Sequence, residues 1–157
     1  MRIVLQRVLE ASVETGGRVV GRVGRGYCLL VGIEKSDTEA DVDRLAGKVA
    51  ELRVFPDSQG KMNLSLAEAG GAILAVSQFT LAASVRKGRR PSFDDACEPV
   101  RAEVLFERFV GNLRAAGFEV ATGVFQAEMQ VRLVNDGPVT FVLETEKTEK
   151  KGGSPVN

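Results

Sequence analysis

Met129-Gln130-Val131-Arg132-Leu133-Val134, then Asn135-Asp136-Gly137-Pro138, then Val139-Thr140-Phe141-Val142-Leu143: two strand-like runs flank a turn-forming quartet, and their pairing decides the fold. In the first run Met129, Val131 and Leu133 alternate with Gln130 and Arg132, the period of two that gives a strand one core-facing side. The second run is β-branched and aromatic, which suits a pleated, half-buried surface. Between them, Gly137 can take backbone angles closed to other residues. Pro138 fixes its own φ and offers no N–H to a ladder. A Gly-Pro bond is also one of the few peptide bonds that can be cis at modest cost. Read alone, the quartet is an ordinary hairpin turn.

Outward from this stretch, strands dominate. Phe118 to Thr122 reads as a strand, as do Ala72 to Ser77, Arg53 to Phe55, Tyr27 to Ile33 and Met1 to Val8. Ala11 to Val23 reads as a hairpin turning at Thr15-Gly16-Gly17. Two helices stand among them. Ser36-Asp37-Thr38-Glu39 has capping-box spacing and opens the first, whose Val42, Leu45, Val49 and Leu52 share one face. Pro99 opens the second, with Ala102, Leu105, Phe106, Phe109 and Leu113 as its apolar stripe and Gly117 as its stop. Strands and helices do not alternate strictly, so the expected class is α+β with largely antiparallel or mixed sheets and two main helices.

The 157 residues suit one domain, expected over residues 1–145, with a charged and then Gly/Ser/Pro-rich disordered tail over 146–157. Lys plus Arg and Asp plus Glu both number 21, so no global field draws a polyanion and any such partner must meet a local patch. Cys28 and Cys97 read as reduced thiols. The N-terminal run meets charge too early for a signal peptide, and no apolar run reaches membrane-spanning length, so a cytoplasmic protein is expected.

Histidine is absent. That removes Ser-His-Asp and Cys-His catalysis and almost every zinc constellation. No GxxxxGK[ST] or GxGxxG loop is present either. No metal or cofactor is expected, and any chemistry must come from backbone dipoles, hydroxyls, carboxylates, Lys, Arg or the substrate.

Ser77-Gln78-Phe79-Thr80-Leu81 follows an apolar strand directly. If the strand frays there, its backbone N–H groups could face a developing oxyanion; the alternative is plain strand continuation with Phe79 in the core. Arg86, Lys87, Arg89 and Arg90 then place four cations in five residues. They form either a phosphate-contacting loop beside a site or a solvated basic loop. Asp41 and Asp43 do not face each other on a helix, and Asp94-Asp95 suits a helix start, so these carboxylates read as structural. Cys97 and Met129 carry no independent signal of reactivity.

Taken together, Ser77-Gln78-Phe79-Thr80-Leu81 and Asn135-Asp136-Gly137-Pro138-Val139-Thr140 resemble the two signature motifs of the D-aminoacyl-tRNA deacylase family. Leu5-Gln6-Arg7-Val8, Gly60-Lys61-Met62-Asn63-Leu64, Arg90-Pro91-Ser92-Phe93 and Met129-Gln130-Val131 are similar to it as well, in order, over about Met1 to Thr145. The resemblance implies a barrel-like α+β fold and a homodimeric proofreading hydrolase acting on aminoacyl-tRNA. Such enzymes cleave the ester between a D-amino acid and the terminal adenosine of tRNA, and also remove mischarged glycine. The resemblance puts the active site at the subunit interface, where a cis Gly-Pro from one subunit enters the pocket of the other. By the same resemblance, Ser77, Gln78, Phe79 and Thr80 form the catalytic wall. Gly137 and Pro138 form the chiral gate, with Met129 at the substrate and Arg7 bracing the Gly-Pro segment. Arg86, Lys87, Arg89 and Arg90 are candidate tRNA contacts. Two other classes stay open: a non-catalytic tRNA- or RNA-binding module using the Arg86 to Arg90 loop, and a small-molecule-binding homo-oligomer with a pocket at the subunit interface.

Overall fold

In the computed structural model, which describes residues 1–146, strand β1 (Arg2–Thr15) is the element around which the rest assembles. Its first half, Arg2 to Val8, pairs antiparallel with β3 (Gly26–Gly32), and its second half, Ala11 to Thr15, pairs antiparallel with β2 (Arg18–Val23). Along its other edge runs β8 (Gln130–Glu144), antiparallel from Arg2 opposite Glu144 to Glu14 opposite Gln130. β6 (Ala72–Ser77) adds to β3 in parallel, and β7 (Val120–Thr122) adds to β6 in parallel. The sheet is therefore mixed, as the element order predicts.

The sheet curls until β2 lies against β6 and β7, giving a nearly closed, barrel-like arrangement. Gly21 permits that approach: a Cβ there would sit 2.6 Å from the Thr122 carbonyl oxygen. Inside the curl, Val8, Ala11, Val13, Cys28, Leu74 and Val76 form one buried cluster. The other face of the sheet packs on two helices, α1 (Glu39–Glu51) and, after the short α2 (Leu66–Ala69), α3 (Pro99–Ala115). Ile3, Leu5, Tyr27, Leu29, Val49, Phe109 and Leu113 are fully buried between them. A two-strand ribbon, β4 (Phe55–Pro56) with β5 (Met62–Leu64), closes one end.

The helices begin and end for local reasons. Thr38 caps α1 through a capping box with Asp41. The box therefore lies two residues beyond the Ser36 start expected from spacing, because Asp37 is drawn inward. Its carboxylate is buried and accepts from the Glu34 N–H at 2.6 Å and the Thr145 hydroxyl at 3.1 Å. Glu98 caps α3 by accepting from the Val100 and Arg101 N–H groups, with Pro99 in the first turn. Gly117 (φ +96°) ends α3, its N–H donating to the Arg114 carbonyl at 2.9 Å.

Two sequence expectations need correcting. β1 runs unbroken through Leu9 and Glu10, both exposed, where two separate elements were expected. More consequentially, Asn135 to Pro138 is no hairpin turn. The runs before and after it belong to one strand, β8, because both find their partner in β1 and not in each other. Gln6 stands opposite Thr140 and Val8 opposite Asn135, so Asp136 to Val139 bulge out of the ladder, as extra residues on one strand must. The Gly137–Pro138 peptide in that bulge is cis. The expected tail lies, apart from Glu146, outside the described residues.

Candidate active site

Where β6 ends, Gln78 still donates its N–H to the Val31 carbonyl at 2.7 Å. The chain then tightens into a single 3₁₀ turn, Phe79–Ala82, so Phe79 leaves the sheet and is exposed instead of continuing into the core. Its ring rests on Phe93, 5.2 Å between centroids. The opening N–H groups of such a turn have no partner within it. The Gln78 side-chain amide donates to the Thr80 hydroxyl at 3.1 Å.

Ser77, Gln78, Phe79, Thr80 and Met129 all line one cavity of about 590 Å³, set between the end of β6, the start of α3 and the segment leading into β8. The structure thus brings together five of the residues singled out from the sequence. It adds Phe125 and Gln126, which sequence reasoning passed over, and Cys97, which the sequence marks only as a reduced thiol without a signal of reactivity. Phe125 is half-buried and its ring lies 6.3 Å from that of Phe106. An aromatic between two strand signals, in the turn-prone Gly123-Val124-Phe125-Gln126, was the available sequence clue. The Arg101 guanidinium lies 3.7 Å from the Cys97 sulfur. Among the described residues, no cluster of His, Cys, Asp and Glu is arranged to hold a metal ion.

Gly137, Pro138 and Arg7 do not line this cavity. Gly137 and Pro138 are exposed, presented outward on the bulge of β8, while Val139 beside them is buried. The bulge is pinned from beneath. Arg7, itself buried, donates Nε to the Asp136 carbonyl at 3.1 Å and Nη1 to the Val54 carbonyl at 2.6 Å. The Asn135 side chain accepts from the Val139 N–H at 3.0 Å and donates to the Thr140 hydroxyl at 2.9 Å. A Cβ on Gly137 (φ +133°) would sit 2.6 Å from Val139 Cγ2 and 3.0 Å from its nitrogen. Arg7 also faces Tyr27, whose hydroxyl burial raises above its ordinary pKa, the guanidinium offsetting part of that shift.

Arg86, Lys87, Arg89 and Arg90 follow the 3₁₀ turn on an exposed loop. Reciprocal backbone bonds between Ser84 and Ser92, 2.8 and 2.9 Å, clamp its base, and Gly88 (φ +72°) turns its tip. Among the described residues, none of the four cations forms an ion pair. Among those residues, too, no helix is long and apolar enough to cross a membrane.

The D-Tyr-tRNA(Tyr) deacylase family model matches residues 4–144. The chain is 59% identical over 148 residues to a D-aminoacyl-tRNA deacylase of Symbiobacterium thermophilum, covering 94% of this chain and 98% of that one. It is 58% identical over 145 residues to a D-aminoacyl-tRNA deacylase of Geobacter sulfurreducens, covering 92% and 95%. Among solved structures, one described as c-Myc DNA Unwinding Element Binding Protein superposes with a TM-score of 0.88 at 40% identity, over 94% of this chain and all of that one. A probable eukaryotic D-amino acid tRNA deacylase superposes at 0.79 with 21% identity, over 90% and 97%, and shares the fold.

Proposed function

The chain belongs to the D-Tyr-tRNA(Tyr) deacylase family and hydrolyses the aminoacyl-tRNA ester, and we propose that it admits D-amino acids and refuses L-amino acids through a gate built from Gly137 and Pro138. The observation that carries this reading is the placement of that pair. It is exposed, anchored from below by Arg7 and Asn135, and outside the cavity of its own chain. A selectivity element that cannot reach its own pocket needs a second copy. The working unit is a homodimer in which each subunit's Gly137–Pro138 closes the other's cavity.

D- and L-amino acids differ by exchange of hydrogen and side chain at one carbon. A backbone wall against that carbon excludes one enantiomer, since backbone atoms cannot swing aside as a rotamer can. Glycine has no side chain to exclude and is removed too. The D side chain need not be read, so many are accepted.

Hydrolysis follows from what lines the cavity. Water adds to the ester carbonyl carbon, and the N–H groups of Phe79 and Thr80 hold the oxyanion. Collapse breaks the bond to the ribose oxygen, which leaves with a proton as the free hydroxyl, and the amino acid departs as its carboxylate. The neighbouring ribose hydroxyl of the tRNA activates the water, consistent with a chain without histidine. Thr80 is wall and not nucleophile: its hydroxyl is bonded to the Gln78 amide, which is no base. Arg86, Lys87, Arg89 and Arg90 contact phosphates of the acceptor end, and their contribution falls with salt. Residues 1–145 form a single deacylase domain, and the protein acts in the cytoplasm, where its substrate is made.

The test is hydrolysis of D- and L-tyrosyl-tRNA by the purified protein, with Pro138→Ala alongside. The reading requires D-selective turnover in the wild type and weakened selectivity in the variant. Equal hydrolysis of both enantiomers, or of neither, overturns it.

A further inference from the structure

Gln126 lines the same cavity, in the turn where the Ala127 N–H donates to the Val124 carbonyl at 3.2 Å. Its φ of +61° lies in the left-handed region, and it is the one non-glycine residue among those described with a positive φ. A side chain there carries a conformational cost that glycine would avoid. Nothing local offsets that cost: among the described residues, the Gln126 carboxamide has no hydrogen-bond partner. An exposed amide without a partner, held at a cavity wall by an unfavourable backbone angle, is arranged to bond something that enters the cavity.

Building on the deacylase reading, we infer that the Gln126 carboxamide bonds the polar edge of the terminal adenine and so positions the aminoacyl ester. The substrate offers three parts. The amino acid side chain varies, so a fixed amide has no constant partner there. The ester must lie against Phe79 and Thr80. The adenine is the constant part. It has apolar faces, matched by the cavity walls at Val31, Ile33 and Phe125, and an edge with a donor amino group beside an acceptor ring nitrogen. A carboxamide carries the complementary acceptor and donor side by side, and glutamine meets adenine by that bidentate pair. Gln126 is thus a binding residue for the nucleotide and takes no part in bond cleavage.

The experiment measures binding and turnover separately, for wild type, Gln126→Gly and Gln126→Leu. Binding uses a non-hydrolysable 3′-amide of D-tyrosine on adenosine, and the same amide on purine riboside, which lacks the amino group. Turnover uses D-tyrosyl-tRNA. Wild type should bind the adenosine compound about tenfold more tightly than the purine compound. Both variants should lose that preference and show a KM raised about tenfold at unchanged kcat. Gln126→Gly should melt no lower than wild type, because glycine accepts the backbone angle, which separates a lost contact from a loosened fold. Equal affinity of wild type for the two compounds, variants that keep the preference, or no binding at all overturns the inference. Wild type that binds with the preference but hydrolyses nothing supports Gln126 as the adenine contact and overturns the deacylase reading alone.

Discussion

Arg7 holds Asp136 by its backbone: the guanidinium Nε donates to the Asp136 carbonyl at 3.1 Å while Nη1 donates to the Val54 carbonyl at 2.6 Å. One rigid fork therefore joins β4's approach to the bulge that carries Gly137 and Pro138. Arg7→Ala leaves the buried Val54 carbonyl without a donor and should cost about 2–4 kcal/mol, read from the urea midpoint. Arg7→Lys should recover only part of it, because a single ammonium on a flexible stem does not reproduce the fork. If the bulge positions the gate, the ratio of D to L turnover drops in both variants. A ratio unchanged in Arg7→Lys would detach Arg7 from selectivity.

Gly137→Ala tests the bulge from above. Its φ of +133° is closed to alanine, and the new Cβ would meet Val139 at 2.6 and 3.0 Å. The expected cost is about 1–3 kcal/mol, and the resulting backbone shift should lower D-tyrosyl-tRNA turnover about 10–100-fold. A fully stable variant with unchanged D-tyrosyl-tRNA turnover and unchanged refusal of L-tyrosyl-tRNA would show that the segment plays no part in the site.

Thr80→Ala separates the two versions of the chemistry. With Thr80 as wall, the variant keeps turnover within about tenfold of wild type, since the N–H groups remain. Removal of a true nucleophile costs about a millionfold in a hydrolase. Abolished turnover with substrate binding intact would make Thr80 the nucleophile and remove the RNA-assisted route.

Asp43 bridges the two helices. Hydrogen bonds from Arg108, at 2.7 and 2.8 Å, and then from Asn112, at 2.6 Å, hold its carboxyl down to about 2. The folded value lies below the ordinary one near 4, so the folded state gains from the ionised form. That gain is complete above about pH 4 and is lost as the pH falls toward 2. Asp43→Asn should therefore melt below wild type at pH 7, and the gap should close by about pH 2. A gap independent of pH would mean that packing, not charge, ties the helices.

At the alkaline end, burial pushes the Cys28 thiol up to about 11 and raises Tyr27 as well. Here the folded value lies above the unfolded one. Stability is level below about pH 9 and falls from there toward 11, as the unfolded chain sheds protons that the folded chain keeps. Cys28→Ala should flatten that fall in urea midpoints, whatever it does to the level at pH 7. An unchanged slope would assign the effect to Tyr27.

Features governed by neighbours in sequence were legible before the structure. Pro99 and Gly117 bound α3 where expected, and the stripes of both long helices face the core. Ser77 to Thr80 and Met129 share one cavity. What could not be read depends on partners at the other end of the chain. Asn135 to Pro138 has every local property of a hairpin turn, and only the competing offer of β1 makes it a bulge. Phe79 left the core because the strand tightened into a 3₁₀ turn after Gln78. Gln126 is invisible in sequence because its backbone angle, not its type, marks it.

The pairing of β1 with β8 also fixes an order of events. Arg2 cannot meet Glu144 until nearly the whole chain exists, and contacts so distant in sequence form late and slowly. During synthesis, the strands, the helix starts and the wall at Ser77 to Thr80 emerge first, with their exposed edge on β1 waiting. The segment bearing Gly137 and Pro138 is installed last, by the same strand that covers that edge. A truncated or stalled chain therefore lacks the Gly137–Pro138 bulge and bares a sticky sheet edge on β1 together, so the chains without that bulge are also the ones most prone to aggregate.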